Sequence, residues 1–350
     1  MKRSYSLDVM KLFFACVVAV FHFEVIDGIY ANVAVQTFFV ISGYFLGRKY
    51  YSRSHKDGGL TYGPWRYTLD HAISLYPHYL LSLVVMLGYV LARAVVYFVT
   101  SPTLTEVWEM VTQIYYQVPD LLMLQSAYQY GMNLNNPTWQ ISALVIAGFF
   151  VYSLLCQNER LCRELLFPGA ILMVQSLLAT GVDLFGRYGF FFLPLLRAFA
   201  PLSLGVLVYY FSKTEVFARL KAHRPFFDLL SLLAVPAILV FKDWAGFHLV
   251  WASVLILACM EPENILNRLL NWKAFAFCGE LSYAVYLNHA LFVRIFHAWL
   301  LRMLEGWGLG LSVVLQTVVY LGTVLVYSVF TVWLLKKIQS FARKRKKMTV

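Results

Sequence analysis

Three residues near the start of the chain place a carboxylate, an amine and an imidazole in one apolar stretch: Asp8, Lys11 and His22. An imidazole titrates near neutral pH, so it can take a proton from a weak nucleophile such as a hydroxyl group. At about 100° per helical residue, Lys11 and His22 differ by about 20°, and Asp8 lies about 40° beyond His22. The spacing therefore predicts one polar stripe along a first helix. An interfacial Asp8–Lys11 ion pair and an outward-snorkelling His22 are the structural alternative.

Further polar residues interrupt later apolar stretches. An ionised side chain inside a membrane helix costs roughly 2.5–3.5 kcal/mol on insertion scales, which favours a functional role for Arg197 in its proline-flanked stretch. Ser282, Tyr286 and His289 share one face of a predicted helix. A hydrogen bond from Tyr286 or Ser282 would make His289 an ordinary core residue, and a free imidazole would make it a site residue.

Other motifs have ready structural explanations. Ser42 and Gly43 predict close approach of a neighbouring backbone, and Trp139 at the start of its helix is typical of an outer membrane interface. Arg48 and Lys49 follow at the predicted cytoplasmic end of the second helix. These basic side chains are candidates for contacts with an anionic ligand.

The composition requires a lipid environment for the elements that carry these residues. Of 350 residues, 60% are apolar and 13% are charged, and the apolar stretches are long enough for helices of ~20 residues. We predict an all-α, polytopic helix bundle of about ten transmembrane helices, with an interfacial helix at 104–125. The predicted helices are 7–26, 33–51, 73–100, 138–156, 165–181, 190–211, 226–242, 245–260, 281–303 and 309–335.

The distribution of positive charge predicts the topology. Most of the 29 Lys and Arg residues fall in alternate loops and in the tail, so both termini are expected in the cytoplasm and the number of crossings to be even. If 104–125 crossed the membrane, the tail would instead lie outside. We assign 1–335 to one transmembrane domain and 336–350 to a basic cytoplasmic tail that binds the membrane surface.

Several functional classes are disfavoured. No folded module accompanies the basic tail, so nucleic acid is not an expected partner. The five cysteines show no paired or metal-ligand spacing, so we expect neither disulfides nor a metal site. Asp8 and Lys11 interrupt the first apolar stretch, which favours a retained helix over a cleaved signal peptide.

The order of these motifs resembles the acyltransferase-3 family of membrane O-acyltransferases over nearly the whole chain. The matching segments are Asp8 to His22, Phe38 to Tyr44, Pro137 to Ser142, Arg197 with Gly205, and Ser282 to His289. We hypothesise catalytic roles for three residues: His22 deprotonates the acceptor hydroxyl or carries the acyl group itself, Arg197 or a protein amide stabilises the oxyanion, and His289 orients the acceptor or donor. The expected substrate-binding set is Asp8, Lys11, Ser42, Arg48, Lys49, Arg66, Trp139, Ser142 and Tyr286.

Two departures from the family pattern concern the same site. Members usually carry an R-x-x-R element ahead of a Tyr-Pro pair, where this chain has His71 and Ser74. Many also have a glutamate at the position of Leu144. Arg66, Lys49 or Arg48 are the candidates to replace the missing cations.

The resemblance implies transfer of an acyl group, commonly acetyl, from cytoplasmic acyl-CoA to a hydroxyl of a cell-surface glycan or a lipid-linked saccharide. No bound cofactor is implied, since acyl-CoA is a co-substrate, and the expected location is a bacterial inner membrane. Midplane charges also occur in transporters and flippases of polar substrates. A non-catalytic membrane subunit is a third alternative, because of the two departures.

Overall fold

The structure is a computed structural model, and it describes most of the chain. The described residues are 3–24, 31–54, 62–100, 108, 118–128, 134–182, 187–188, 191–241, 246–307 and 311–348. Within these ranges the fold is helical, apart from the two-residue strands β1 (Arg187–Tyr188) and β2 (Phe191–Phe192), which pair antiparallel. The helical architecture predicted from the apolar stretches is therefore confirmed for this part of the chain.

Each predicted helix has a counterpart in the structure. The helices are α1 (Tyr5–His22), α2 (Ala31–Ser54), α3 (Pro64–Thr100), α4 (Val118–Leu121), α5 (Gln125–Tyr128), α6 (Trp139–Gln157), α7 (Glu159–Ala179), α8 (Leu193–Phe211), α9 (Glu215–Ala222), α10 (Arg224–Val240), α11 (Phe247–Met260), α12 (Ile265–Leu270), α13 (Cys278–Ile295), α14 (Leu301–Gly306) and α15 (Val313–Met348). Short 3₁₀ turns precede α6 and α13, and a π turn follows α13.

Seven helical segments in the described ranges are long and apolar enough to cross a membrane. The pair α9 and α10, bent by 94°, would make an eighth crossing if it forms one span. Helix α2 is long enough, but Asn32, Gln36 and its basic end lower its hydropathy, and α11 has only 14 residues. The chain is thus a multi-pass membrane protein, whereas about ten crossings and cytoplasmic termini stay predictions.

Two glycines bring the backbones of α2 and α8 into contact. A Cβ atom on Gly43 would lie 2.0 Å from the carbonyl oxygen of Leu202, and one on Gly205 would lie 2.1 Å from that of Val40. No side chain larger than hydrogen fits at either position without a shift of the backbone. The prediction that Gly43 allows a neighbouring backbone to approach is confirmed.

A hydrogen-bonded segment ahead of α6 fills the space between α3, α6 and α13. The side-chain amide of Gln125 donates to the Tyr79 hydroxyl at 2.9 Å and to the Thr138 carbonyl at 3.0 Å. The Asn135 amide donates to the Leu287 carbonyl at 2.8 Å. These bonds join a loop segment to two long helices, so they fix where α6 begins.

Asp120 lies within the same segment. Its carboxylate accepts a hydrogen bond of 2.9 Å from the Leu134 amide, yet burial outweighs this bond and raises its pKa to about 6. Of the predicted interfacial helix at 104–125, residues 104–107 and 109–117 lie outside the described residues. The part that is described forms α4 and the first residue of α5 rather than one continuous helix.

Candidate active site

A cavity of about 330 Å³ lies among α1, α2, α3, α6 and α13. This volume is at the lower end of the range of small-molecule pockets, roughly 300–1,000 Å³. Apolar side chains such as Phe38, Phe45 and Leu144 form much of its lining. The polar lining residues are Lys11, Ser42, Lys49, Tyr67, His71, Gln140, Ser282, Tyr283 and Tyr286.

Lys11 reaches this cavity from α1 while paired with a buried carboxylate. Its Nζ lies 3.5 Å from Asp8 Oδ1, and Arg3 Nε donates to Asp8 Oδ2 at 2.7 Å. The ion pair offered as a structural explanation is therefore present. Lys11 nevertheless lines the cavity, so Asp8 holds a cation at its edge without removing it.

Lys49 enters the cavity from α2 between two tyrosine rings. Its Nζ lies 4.9 Å from the ring centroid of Tyr62 and 5.0 Å from that of Tyr67, distances typical of cation–π contacts. The Tyr62 hydroxyl donates to Asp70 at 2.5 Å. Burial and this bond raise the pKa of Tyr62 to about 12, so the ring stays neutral.

The other predicted cations are not part of the described lining. They contact Phe45 and Tyr62, the rings that Lys11 and Lys49 also contact, and we call this end of the cavity its mouth. The guanidinium carbon of Arg66 lies 5.7 Å from the ring centroid of Tyr62, and that of Arg48 lies 6.0 Å from the ring centroid of Phe45. His71, which occupies the first position of the missing R-x-x-R element, does line the cavity. The cations of the described lining are therefore Lys11 and Lys49.

His22 and His289 lie side by side outside the described lining of the cavity, next to Tyr286. Their rings are stacked, with centroids 5.2 Å apart and an angle of 25° between planes. Tyr286, which lines the cavity, connects the pair to it, since its ring centroid is 5.8 Å from that of His289. Helices α1 and α13 pack along each other, and this packing brings the two imidazoles together.

The buried ring of His289 has no side-chain hydrogen-bond partner among the described residues, and the polar groups that act on it are the backbone of Val285 and Tyr286, one turn earlier in α13. Ser282 donates instead to the Gly279 carbonyl at 2.9 Å, and Tyr286 donates to the Pro137 carbonyl. Both hydroxyl groups thus donate elsewhere, and the assignment of His289 to the site rather than to the core stays a prediction.

Arg197 does not belong to the described cavity lining. It is 3% exposed, and its guanidinium carbon lies 5.5 Å from the ring centroid of Trp139 on α6. Ser142, one turn further along α6, accepts a hydrogen bond of 3.1 Å from the Ser126 amide. The structure thus leaves Arg197, Trp139 and Ser142 outside the described lining of the cavity. Their predicted contacts with substrate stay predictions.

Sequence reasoning missed Arg3, Gln140 and Tyr67, because each gains its place through another helix. Gln140 directly follows Trp139, which the sequence did single out. No donor among the described residues hydrogen-bonds to its Oε1. No three His, Cys, Asp or Glu residues of the described ranges gather in a way that could hold a metal ion.

Apolar spans surround a cavity that two lysines line, and a stacked pair of imidazoles lies next to Tyr286 outside that lining; together these features define a multi-pass membrane protein with a buried polar site. Residues 4–336 match the family model described as an acyltransferase domain. The chain belongs to the acyltransferase-3 family, so the resemblance seen in the motifs is confirmed, and the protein is a membrane acyltransferase. No curated protein and no solved structure matches it.

Proposed function

We propose that this protein transfers an acyl group, with acetyl expected, from cytoplasmic acyl-CoA to a hydroxyl of a cell-surface glycan or its lipid-linked precursor. The observation that carries the proposal is the separation of two kinds of polar group along the cavity. Lys11 and Lys49 lie at one end, and the His22–His289 pair lies beyond Tyr286 at the other. We place the protein in a bacterial inner membrane.

The lysine end suits the phosphates of acyl-CoA. A phosphate is held most strongly by charged donors, and Lys49 is preoriented because two tyrosine rings restrain its ammonium group. Arg66 and Arg48 add positive potential at the mouth. Lys49, with Lys11, replaces the arginines that the family usually carries near His71. The apolar lining of the cavity accepts the narrow thioester arm of acyl-CoA.

The histidine end supplies the proton transfer. A neutral His22 takes the proton of the acceptor hydroxyl while the hydroxyl oxygen attacks the thioester carbon. The new C–O bond forms, the C–S bond breaks, and the proton on His22 passes to the departing thiolate to give CoA. A ring nitrogen of His289 donates to or accepts from the reacting groups, according to its tautomer.

The negative charge on the carbonyl oxygen needs a donor during the reaction. Gln140 lines the cavity, and its side-chain amide has only a 3.4 Å bond, to the Val35 carbonyl. We propose Gln140 or Arg197 for this role. Arg197 would have to act through the field of its charge or after a movement of Trp139, because the aromatic ring lies against it.

The test follows label from acetyl-CoA, radioactive in the acetyl group, into envelope glycans of membranes that contain the full-length protein. We expect His22→Ala to lower transfer by about 10²–10⁴-fold, the usual contribution of a general base. His223→Ala is the matched control, since His223 is exposed at the start of α10. Undiminished transfer by His22→Ala with normal membrane insertion would remove His22 from the chemistry.

A binding measurement separates an acyltransferase from a transporter or a non-catalytic subunit. Purified protein should bind acetyl-CoA, and Lys49→Met should weaken this binding while His22→Ala leaves it intact. Absence of acetyl-CoA binding by folded protein would contradict the proposal. Ion-coupled uptake of a saccharide without transfer of label would favour the transporter.

A further inference from the structure

Two cations share the carboxylate of Asp8 near the beginning of α1. Arg3 Nε donates to Asp8 Oδ2 at 2.7 Å, whereas Lys11 Nζ lies 3.5 Å from Asp8 Oδ1. The first distance is that of a charge-assisted hydrogen bond, and the second is beyond the usual range of one. Asp8 is 6% exposed, so water competes little for its oxygens. Its charge is therefore compensated mainly by Arg3.

Arg3 is itself held in place by the backbone around it. Its Nη2 atom donates to the carbonyl of Ala276 at 2.7 Å, just ahead of α13. The next residue, Ser4, donates from its hydroxyl to the Cys259 carbonyl at 2.7 Å, near the end of α11. These two bonds tie the segment ahead of α1 to two other elements of the bundle. The guanidinium group thus reaches Asp8 from a fixed position.

The pair formed by Arg3 and Asp8 lies directly against the cavity lining. Gly279 of α13 lines the cavity, and a Cβ atom there would lie 2.5 Å from Asp8 Oδ1 and 2.9 Å from Arg3 Nη2. Glycine at this place leaves room for both side chains. Lys11, one turn after Asp8 in α1, also lines the cavity. Three charged groups thus meet at one edge of the cavity, and one positive charge among them stays uncompensated.

We infer that Arg3 is a positioning residue: it keeps Asp8 from neutralising Lys11, so the Lys11 ammonium stays available to an anionic ligand in the cavity. Without Arg3, Lys11 is the remaining cation within salt-bridge distance of this buried carboxylate in the described structure. A buried carboxylate needs a close partner, so the 3.5 Å contact would shorten and the ammonium would be withdrawn from a ligand. Given the proposed function, on which this point alone rests, the anion is a phosphate of acyl-CoA.

The first measurement is the reactivity of Lys11 in the purified full-length protein, which needs no acyl donor. Formaldehyde with cyanoborohydride methylates lysine amines, and mass spectrometry quantifies the peptide that holds Lys11. We expect Arg3→Gln to lower this labelling by about threefold, because a tighter ion pair protects the amine. Arg3→Lys keeps a cation beside Asp8 and should label like wild type. A mere loss of packing would instead expose Lys11 and raise its labelling.

The double variant Arg3→Gln/Asp8→Asn gives the sharpest test. Asparagine removes the charge that Arg3 compensates, so labelling of Lys11 should return to at least the wild-type level. The Arg3 side chain is 47% exposed, so the fold should tolerate glutamine there. Arg160→Gln is the matched control, because it breaks an exposed pair with Glu164 and should leave Lys11 labelling unchanged. Unchanged or increased labelling in Arg3→Gln, or no recovery in the double variant, would overturn the inference.

Binding of acetyl-CoA to the same variants tests the link to the proposed function. We expect Arg3→Gln to weaken binding by about tenfold and the double variant to recover most of it, with kcat of acyl transfer close to wild type. If wild-type protein binds no acetyl-CoA but the labelling pattern holds, the proposed function fails and the role of Arg3 stands. If Arg3→Gln binds acetyl-CoA as tightly as wild type, the assignment of the phosphate to Lys11 is overturned.

Discussion

The two faces of α2 differ sharply although they share one helix. On one face, Gly43 and its neighbours touch the backbone of α8, with no room for a Cβ atom. On the other face, Ser42 and Lys49 line a cavity of about 330 Å³. Adjacent residues in the sequence thus serve opposite purposes.

The difference teaches how a lipid-embedded bundle keeps an internal cavity open. Helices in a membrane gain little from the hydrophobic effect between them, so close backbone packing at small residues supplies much of their association. The α2–α8 contact provides it, and the cavity face is then free to carry polar groups. Substitutions on the two faces should therefore affect different quantities.

On the packed face, Gly43→Ala should have the largest effect. Its Cβ would lie 2.0 Å from the Leu202 carbonyl, so the helices must separate, and we expect the free energy of unfolding to fall by about 3 kcal/mol. Thermal unfolding in detergent measures this. Gly88→Ala, with nothing within 4 Å of its Cβ, is the control and should be neutral or stabilising. Equal behaviour of both variants would contradict the close contact.

On the cavity side, His289→Phe should keep the aromatic stack with His22 but remove both ring nitrogens. We expect a loss of transfer of about a hundredfold with an unchanged thermal midpoint. If His289 only fills space, phenylalanine should preserve the rate of acyl transfer. That result would assign His289 a packing role instead.

Asp120→Asn tests the segment that closes the bundle beside the cavity. Folding raises the pKa of Asp120 from 3.8 to about 6, so the fold favours the neutral acid. Its contribution to stability is present below about pH 4 and is lost as the pH rises through 6, by at most about 3 kcal/mol. Asparagine keeps an acceptor for the Leu134 amide and should flatten the stability profile between pH 4 and 7. Identical profiles for wild type and variant would contradict the pKa shift.

Lys49→Met should give the smallest of these effects. Loss of one charged contact to a phosphate should raise the KM for acyl-CoA about tenfold and change kcat little. Lys213→Met is the control, because Lys213 packs on Tyr209 outside the cavity lining. A fall in kcat with constant KM would place Lys49 in the chemical step rather than in donor binding.

Sequence patterns predicted features that depend on one helix or on bulk composition. The helical fold and the close approach at Gly43 are confirmed, because apolar length and small residues act locally. The family is confirmed as well, because it was identified from the order of motifs along the chain. The partner of Tyr286 was not predictable in this way, since its hydroxyl bonds to Pro137, which is distant in sequence. The stacking of His22 on His289 likewise depends on how α1 and α13 cross, a relation that no spacing within either helix encodes.

The contact between Gly43 and Leu202 also limits how the protein can move. At Gly43 and Gly205 the backbones of α2 and α8 touch with no side chain between them to rearrange, so we expect the two helices to shift as one body. If entry of a bulky donor widens the cavity, another lining helix, α1, α3, α6 or α13, must be displaced relative to that body. Lys11 and Tyr286, carried on the displaced helices, would change their distance from Lys49 at each turnover.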